Sequence, residues 1–522
     1  MPLANISDLP TEILAKILED VPSETLCSLA SLSRRLNYAL SLYFSRSNLD
    51  LKDVTITLVP NRHDPLSAFQ ICLSISSMQR VEIIFPHPSC STIFPFLKQM
   101  KRVENFFSRL TSVKEVVLQL DNTGSIRCLA PGSDEALRAW ATRLGALLTC
   151  IVEKGCTALT VVNGTHLIEA YQLQLPKFSA KYLPRLLRKV LLPQNARSLG
   201  FRRNPRQGTA DVSSAMPRFP AHSLQLNTLH IETATLVMPP GLHWTLTALH
   251  QCPITSLGIR MSLVESHIWS VVLPSIVAAC PNLTSLRLTD LDSYSRSHEA
   301  STETLALAFL AHFPRLVDLE LTHLWGSGMY FDWRSYLFKA KGPTAPLKHL
   351  TRLRAPPSIV SHLLSRPFAL PIINSICILW KEPSSPDYKT LVRFLSSIFR
   401  VLSWRRLTPE LSLWIESLSR AAEGMAILRG LSAPPLEQLA RVERLHLEYA
   451  FLGTDLTQPL LEPVVAAFRG LKQLSVTTRS GDAAVAILAQ VAWATDSLKS
   501  VEINGKSYDL ASRSPGVHSH SK

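Results

Sequence analysis

The chain lacks the short motifs on which most catalytic and metal chemistry is built. None of its nine cysteines stands in a C-x-x-C pair, which argues against a zinc site. No G-x-S-x-G elbow, H-E-x-x-H helix or dinucleotide fingerprint is present, so neither an enzyme nor a cofactor is expected. Gly505-Lys506-Ser507 has the ending of a phosphate loop, but Ser500 stands where the first glycine is needed. An apolar run of 18 residues is missing as well, and with it the expectation of a membrane span. The odd cysteine count and the want of a leader-like opening point to reduced thiols in the cytosol or nucleus. The sequons at Asn163 and Asn282 are then chance matches.

What remains is the composition of an ordinary globular chain, 46% hydrophobic and 18% charged. The net charge of +14 is spread over local clusters: Lys98, Lys101 and Arg102; Arg185, Arg188 and Lys189; Arg202, Arg203 and Arg206; Arg400, Arg405 and Arg406. These read as solvated faces, or as a preference for acidic or phosphorylated partners that arginine forks bind bidentately. Nucleic acid is the weaker reading, because no stretch is expected to interleave them with exposed aromatics.

The first 45 residues carry a pattern that does not recur. Pro10 and Glu12 suit the first turn of a helix. Ile13, Leu14, Ile17, Leu18 and Val21 form a broad apolar stripe behind them. Ser23 can cap a second helix carrying Leu26, Leu29, Ala30 and Leu32, and Ser33 a third carrying Leu36, Leu40 and Tyr43. So small a block cannot bury all of this surface by itself. Any apolar face left over is a binding site, each side chain contributing about 1.5–3 kcal/mol when covered.

The run Leu9-Pro10-Thr11-Glu12-Ile13-Leu14, followed by Ile17-Leu18, Val21-Pro22, Leu26, Leu29 and Leu32-Ser33-Arg34-Arg35-Leu36, closely resembles an F-box. That resemblance implies a three-helix block docking on a Skp-type adaptor, and through it a cullin, in a ubiquitin ligase. It implies adaptor contacts at Leu9, Pro10, Ile13, Leu14 and Ile17, with Leu26, Leu29 and Leu32 divided between partner and internal packing. Many F-boxes have an aromatic residue shortly after the Ser-Arg; Leu36 and Asn37 stand there instead.

Behind this block, fifteen short stretches repeat one frame, apolar-x-x-apolar-x-apolar, with centres 26 to 44 residues apart. The clearest are Leu283-x-x-Leu286-x-Leu288, Leu316-x-x-Leu319-x-Leu321, Val442-x-x-Leu445-x-Leu447 and Leu471-x-x-Leu474-x-Val476. Fainter copies centre on Val54, Val81, Val116, Thr160, Leu199, Leu229, Leu257, Leu350, Ile376, Leu411 and Val501. A strand and a helix recurring at about 30 residues predict an α/β chain of leucine-rich-repeat type. Such an irregular solenoid lines its concave side with a parallel sheet and its convex side with helices. A doubly wound α/β domain is the competing reading. The whole arrangement resembles fungal-type F-box proteins with degenerate leucine-rich repeats.

The expected division is an F-box over 1–48, a repeat array over 49–510 and a disordered tail over 511–522, where His518 and His520 lie. Exposed loops are expected near 202–222, 294–303 and 381–388. Asn504-Gly505, between two alternating arms, predicts a hairpin that closes the open edge of the sheet.

These readings make the chain a substrate adaptor that holds a client on the repeats. A ligase-independent repeat scaffold for acidic, phosphorylated or nucleic-acid partners is the alternative. Arg287, Glu320, His446 and Ser475 alternate with buried leucines and are expected to line the concave face. Trp325, Tyr330, Phe331, Trp333, Tyr336 and Phe338 crowd into 14 residues of a chain that is 7% aromatic. Trp333, Tyr336 and Leu337 sit at helical spacing and read as core; Trp325 and Tyr330, which precede that stripe, are expected to be the exposed members, and either they contact a client or these rings simply fill the core.

Overall fold

Pro10 opens the first helix in the structure, a computed structural model. It describes residues 9–22, 25, 29–30, 36–38, 44, 52–58, 65–72, 75–86, 94–120, 134–164, 171–173, 201–203, 224–239, 241–291, 302–310, 312–323, 347–365, 370–381, 388–405, 407, 409–416, 441–449, 465, 468–478, 487–488 and 497–510. Helix α1 spans Thr11–Glu19, one residue later than a proline in the first turn would place it: Pro10 is its N-cap, and the Pro10 carbonyl accepts the first helical bond from Leu14 N at 3.0 Å. Where a second and a third helix are expected, the described residues are Thr25, Leu29 and Ala30, which are helical, and a 3-10 turn over Leu36–Tyr38.

Leu14, Leu18 and Leu36 form a small core of their own, with Val21 and Leu29 packed against it. Leu36 is buried in this core, and the buried Asn37 amide donates to the Ala30 carbonyl at 3.5 Å. A ring that the repeat frame did not reveal ties this block to the first repeats. Phe44 stacks on Phe69 at 4.6 Å, and Phe69 leans on Phe106.

The chain divides into two compact units, residues 1–283 and 284–522. In the first, β1 (Asp53–Thr57), β2 (Ser77–Ile84), β3 (Ser112–Gln119) and β4 (Ala158–Val162) follow one another in parallel register. A small antiparallel pair, β5 (Tyr171–Leu173) and β6 (Phe201–Arg203), comes next in the chain, after which β7 (Thr228–Glu232) and β8 (Ser256–Arg260) resume the parallel sheet. Alternation explains the strands: Val54, Val81, Val116, Leu159, Leu229 and Leu257 point to one buried side in register. Helices α2 (Pro65–Ile71), α3 (Phe94–Arg109), α4 (Asp134–Glu153), α5 (Gly241–Gln251) and α6 (Ser266–Ala279) pack against their successors, α2 on α3, α3 on α4, α4 on α5 and α5 on α6.

The second unit repeats the scheme with fewer described helices, α7 (Thr302–Leu310), α8 (Pro357–Ser365) and α9 (Tyr388–Trp404). Its sheet runs β9 (Ser285–Leu291), β10 (Asp318–His323), β11 (Arg352–Ala355), β12 (Ser375–Lys381), β13 (Glu410–Glu416), β14 (Arg444–Tyr449), β15 (Gln473–Thr478) and β16 (Ser500–Ile503), all parallel. Strand order follows chain order within each unit, without the reversal a doubly wound sheet requires. The four clearest frames are parallel strands, as expected. The Asn504-Gly505 turn is also present: both residues have positive φ, 50° and 79°, and β17 (Lys506–Asp509) pairs antiparallel with β16.

Three repeat frames are corrected. The copy at Thr160 is displaced by one residue, since Leu159 is the buried partner of Val116 and Leu229; a slip of one residue exchanges the two faces of a strand. The copy at Leu350 is displaced by three, and its frame is Leu350-x-x-Leu353-x-Ala355, with Leu353 opposite Leu319. Leu199 lies outside the described residues, but β4 pairs directly with β7, and Phe201 pairs antiparallel with Leu173. Three loop ranges also tighten. Arg202 and Arg203 belong to β6, Glu303 is buried in α7, Lys381 ends β12 and Tyr388 starts α9. The remainder of those loops, the stretch from Trp325 to Phe338 and the tail lie outside the described residues.

Candidate functional site

Two surfaces collect the residues singled out in the sequence. On α1, Leu14 and Leu18 turn inward and are essentially unexposed, whereas Ile13 and Ile17 are 48% and 40% exposed. Four residues apart on a helix, these isoleucines lie on one face, and the exposed Pro10 stands one turn ahead of Ile13. Leu9 and Leu29 are half-buried. Leu14 therefore supports the α1 surface from beneath, and Leu26 and Leu32 lie outside the described residues. An apolar strip flanked by the exposed Glu12, Lys16 and Glu19 is suited to a partner that covers it.

The second surface is the polar side of the second unit's sheet. Arg287, Glu320, Arg354 and Cys377 stand opposite one another on β9 to β12, and Trp414 stands opposite His446 on β13 and β14. Arg287 Nε lies 3.4 Å and Arg354 Nη1 3.8 Å from the same Glu320 oxygen, Oε1. The Arg354 guanidinium sits 4.3 Å from the centre of the Trp414 ring, which is stacked on the His446 imidazole at 3.4 Å. Strand order brings the arginine and the histidine to Trp414 from opposite sides. Flanking pairs are tighter, with Arg444 2.6 Å from Glu410 and Arg352 3.0 Å from Asp318.

Burial sets the chemistry here. It pushes the His446 imidazole down to about 4, with the Arg354 charge adding to the effect, so His446 is neutral at physiological pH. It pushes the Cys377 thiol up to about 11, and Cys150, Cys156, Cys252 and Cys280 likewise to about 11 or 12. Among the described residues no group of histidine, cysteine and carboxylate side chains converges as a metal site would require, and no helix is long and apolar enough to cross a membrane.

The neutral His446 has a consequence for stability. Between pH 6.5 and about 4 the unfolded chain binds a proton at this position that the folded chain does not. Its contribution is complete above pH 6.5 and is lost as pH falls toward 4. Denaturant midpoints measured from pH 7 to pH 4.5 are expected to fall more steeply for the parent than for His446→Gln. Identical slopes would contradict this.

Arg287, Glu320 and His446 were legible in the sequence and belong to one cluster. Arg354, Cys377 and Trp414, which join them, were not. The displaced frame at Leu350 concealed Arg354, which in the corrected frame occupies the same place as Arg287 and Glu320. Trp414 was hidden in a similar way, because β13 meets β14 with Leu413, not Leu411, opposite Leu445. Ser475 lies beside His446 in the adjoining strand. Trp325 and Tyr330 are outside the described residues.

Residues 6–43 match the family model of the F-box domain. Domains of this kind bind Skp-type adaptors in cullin ubiquitin ligases, and the general class they define is the substrate adaptor. The exposed strip of α1 falls inside the matched segment. No curated protein matches the chain.

Proposed function

We propose that the protein is the substrate-recognition adaptor of a Skp–cullin–F-box ubiquitin ligase. Residues 1–48 hold the Skp-type adaptor, and 49–510 form an irregular leucine-rich-repeat solenoid that holds a client protein, with 511–522 as a tail. The protein performs no chemistry itself. It brings a client lysine near a ubiquitin-charged enzyme carried by other subunits, which turns a bimolecular encounter into a local one. Its buried thiols suit a reducing compartment, the cytosol, the nucleus or both. The polar row at Arg287, Glu320 and His446 is the proposed client surface, and Trp325 and Tyr330, outside the described residues, are proposed as further client contacts.

The observation that carries this reading is the exposure of Ile13 and Ile17 on a helix whose other face is fully packed. Co-expression with a Skp-type adaptor and a cullin tests it. The full chain is expected to co-purify with both, and Leu9→Ala with Pro10→Ala to reduce recovery severalfold at an unchanged melting temperature. Absence of the adaptor from the purified parent would refute the assignment.

A further inference from the structure

The Arg287–Glu320–Arg354 cluster is built unlike the ion pairs around it. Charge-assisted contacts between guanidinium and carboxylate settle near 2.7–2.9 Å. Arg444–Glu410 and Arg352–Asp318 come close to this, at 2.6 and 3.0 Å, but Glu320 offers one oxygen to two arginines at 3.4 and 3.8 Å. Neither arginine is saturated by it. Arg354 Nε is buried and has no acceptor among the described residues, whereas other parts of the two side chains, 35% of Arg354 and 48% of Arg287, remain open to solvent.

Charge and shape define what fits. Two guanidiniums, one carboxylate and a neutral imidazole sum to a single positive charge in a half-buried setting. A monoanion balances it, whereas a dianionic phosphate leaves an uncompensated negative charge beside Glu320. Trp414, covered by Arg354 on one side and His446 on the other, keeps the guanidinium in place before any ligand arrives, so less order is lost on binding.

Resting on the adaptor reading above, we propose that this cluster binds a carboxylate side chain of an acidic client segment, held between Arg287 and Arg354 beside Glu320. The carboxylate takes the solvent-exposed guanidinium donors of Arg287 and Arg354 that Glu320 leaves unused, not the buried Arg354 Nε. Trp414 and His446 position Arg354 and do not contact the ligand.

The test uses the purified full chain on arrayed 15-residue peptides with serine, alanine and leucine flanks and a central Glu-Glu, Gln-Gln or phosphoserine. Capture of the Glu peptides is expected to exceed that of the Gln peptides at least fivefold. Arg354→Gln should reduce it tenfold or more, and Glu320→Gln, which removes the competing carboxylate, should raise it about threefold. That gain is a change mere destabilisation does not produce, so it decides the matter if Arg354→Gln fails to fold. Equal capture of Glu and Gln peptides, a phosphoserine preference, or no gain in Glu320→Gln would each overturn the proposal. So would a normally melting Arg354→Gln that captures as the parent does. A chain that co-purifies with the ligase subunits yet fails these arms loses only the carboxylate site.

Discussion

Ile13→Ala combined with Ile17→Ala is expected to weaken binding of the Skp-type adaptor by roughly tenfold to a hundredfold, with little change in the protein's own melting temperature. Nearly half of each side chain is solvent-exposed in the free protein. Covering that remaining surface is worth about half of the 1.5–3 kcal/mol for a fully buried isoleucine, hence about 1.5–3 kcal/mol for the two. Each 1.4 kcal/mol is a factor of about ten in affinity. Leu14→Ala provides the contrast. Its side chain is fully buried against Leu18 and Leu36, so its loss should destabilise the block by about 2–5 kcal/mol. Calorimetric titration with purified adaptor, alongside thermal melts, separates the two. If the isoleucine pair lowered the melting temperature as Leu14→Ala does, the strip would be core and not interface.

Trp140→Ala is expected to cost the first unit about 3–5 kcal/mol, the range for truncating a large buried aromatic. Trp140 on α4 is 1% exposed and packs on Phe96 of α3 at 5.7 Å, and Phe96 in turn packs on Phe85, just past β2, at 5.2 Å. The three rings connect two helices to the sheet, so the cavity cannot close by one side chain moving. Trp140 Nε1 has no hydrogen-bond partner among the described residues. Trp140→Phe therefore loses area but relieves an unpaired donor, and should cost far less than the alanine variant. Guanidinium denaturation of parent and both variants measures this; equal losses would mean that the indole N–H finds a partner in solution.

The strands were legible because a frame of three apolar positions states both their existence and their buried side. Leu286, Leu319, Leu445 and Leu474 lie where that frame puts them, each flanked by a polar residue on the other face. The frame failed where apolar residues stand outside it. Leu347 and Leu350 mimic the first two positions three residues early, and Thr160 sits in a run of alternating residues that reads equally well one step either way. A one-step or three-step error is small along the chain but reverses the faces, and so it removed Arg354 from the expected site. Trp414, concealed by the offset between β13 and β14, escaped for a further reason as well. Its importance comes from Arg354 and His446 on other strands, and no local pattern encodes such a meeting. On α1 the periodicity gave the apolar stripe but not its division: Leu14 and Ile13 look alike in sequence, and only the packing of Leu36 decides which one is covered.

The Asn504-Gly505 turn also governs how this architecture can change in length. A parallel array grows by laying each new strand beside the last in the same direction, and β17 runs the other way. Lys506, Ser507 and Asp509 on it are exposed, so the outermost strand is polar and short, and ill suited to pairing with another chain. A duplicated repeat placed after β17 would meet a neighbour of reversed polarity with no register to continue. Lengthening or shortening is therefore expected upstream of Ser500, where the described junctions of the long sheet within each unit join parallel strands, and engineered copies of this fold should gain or lose repeats there while carrying the hairpin unchanged.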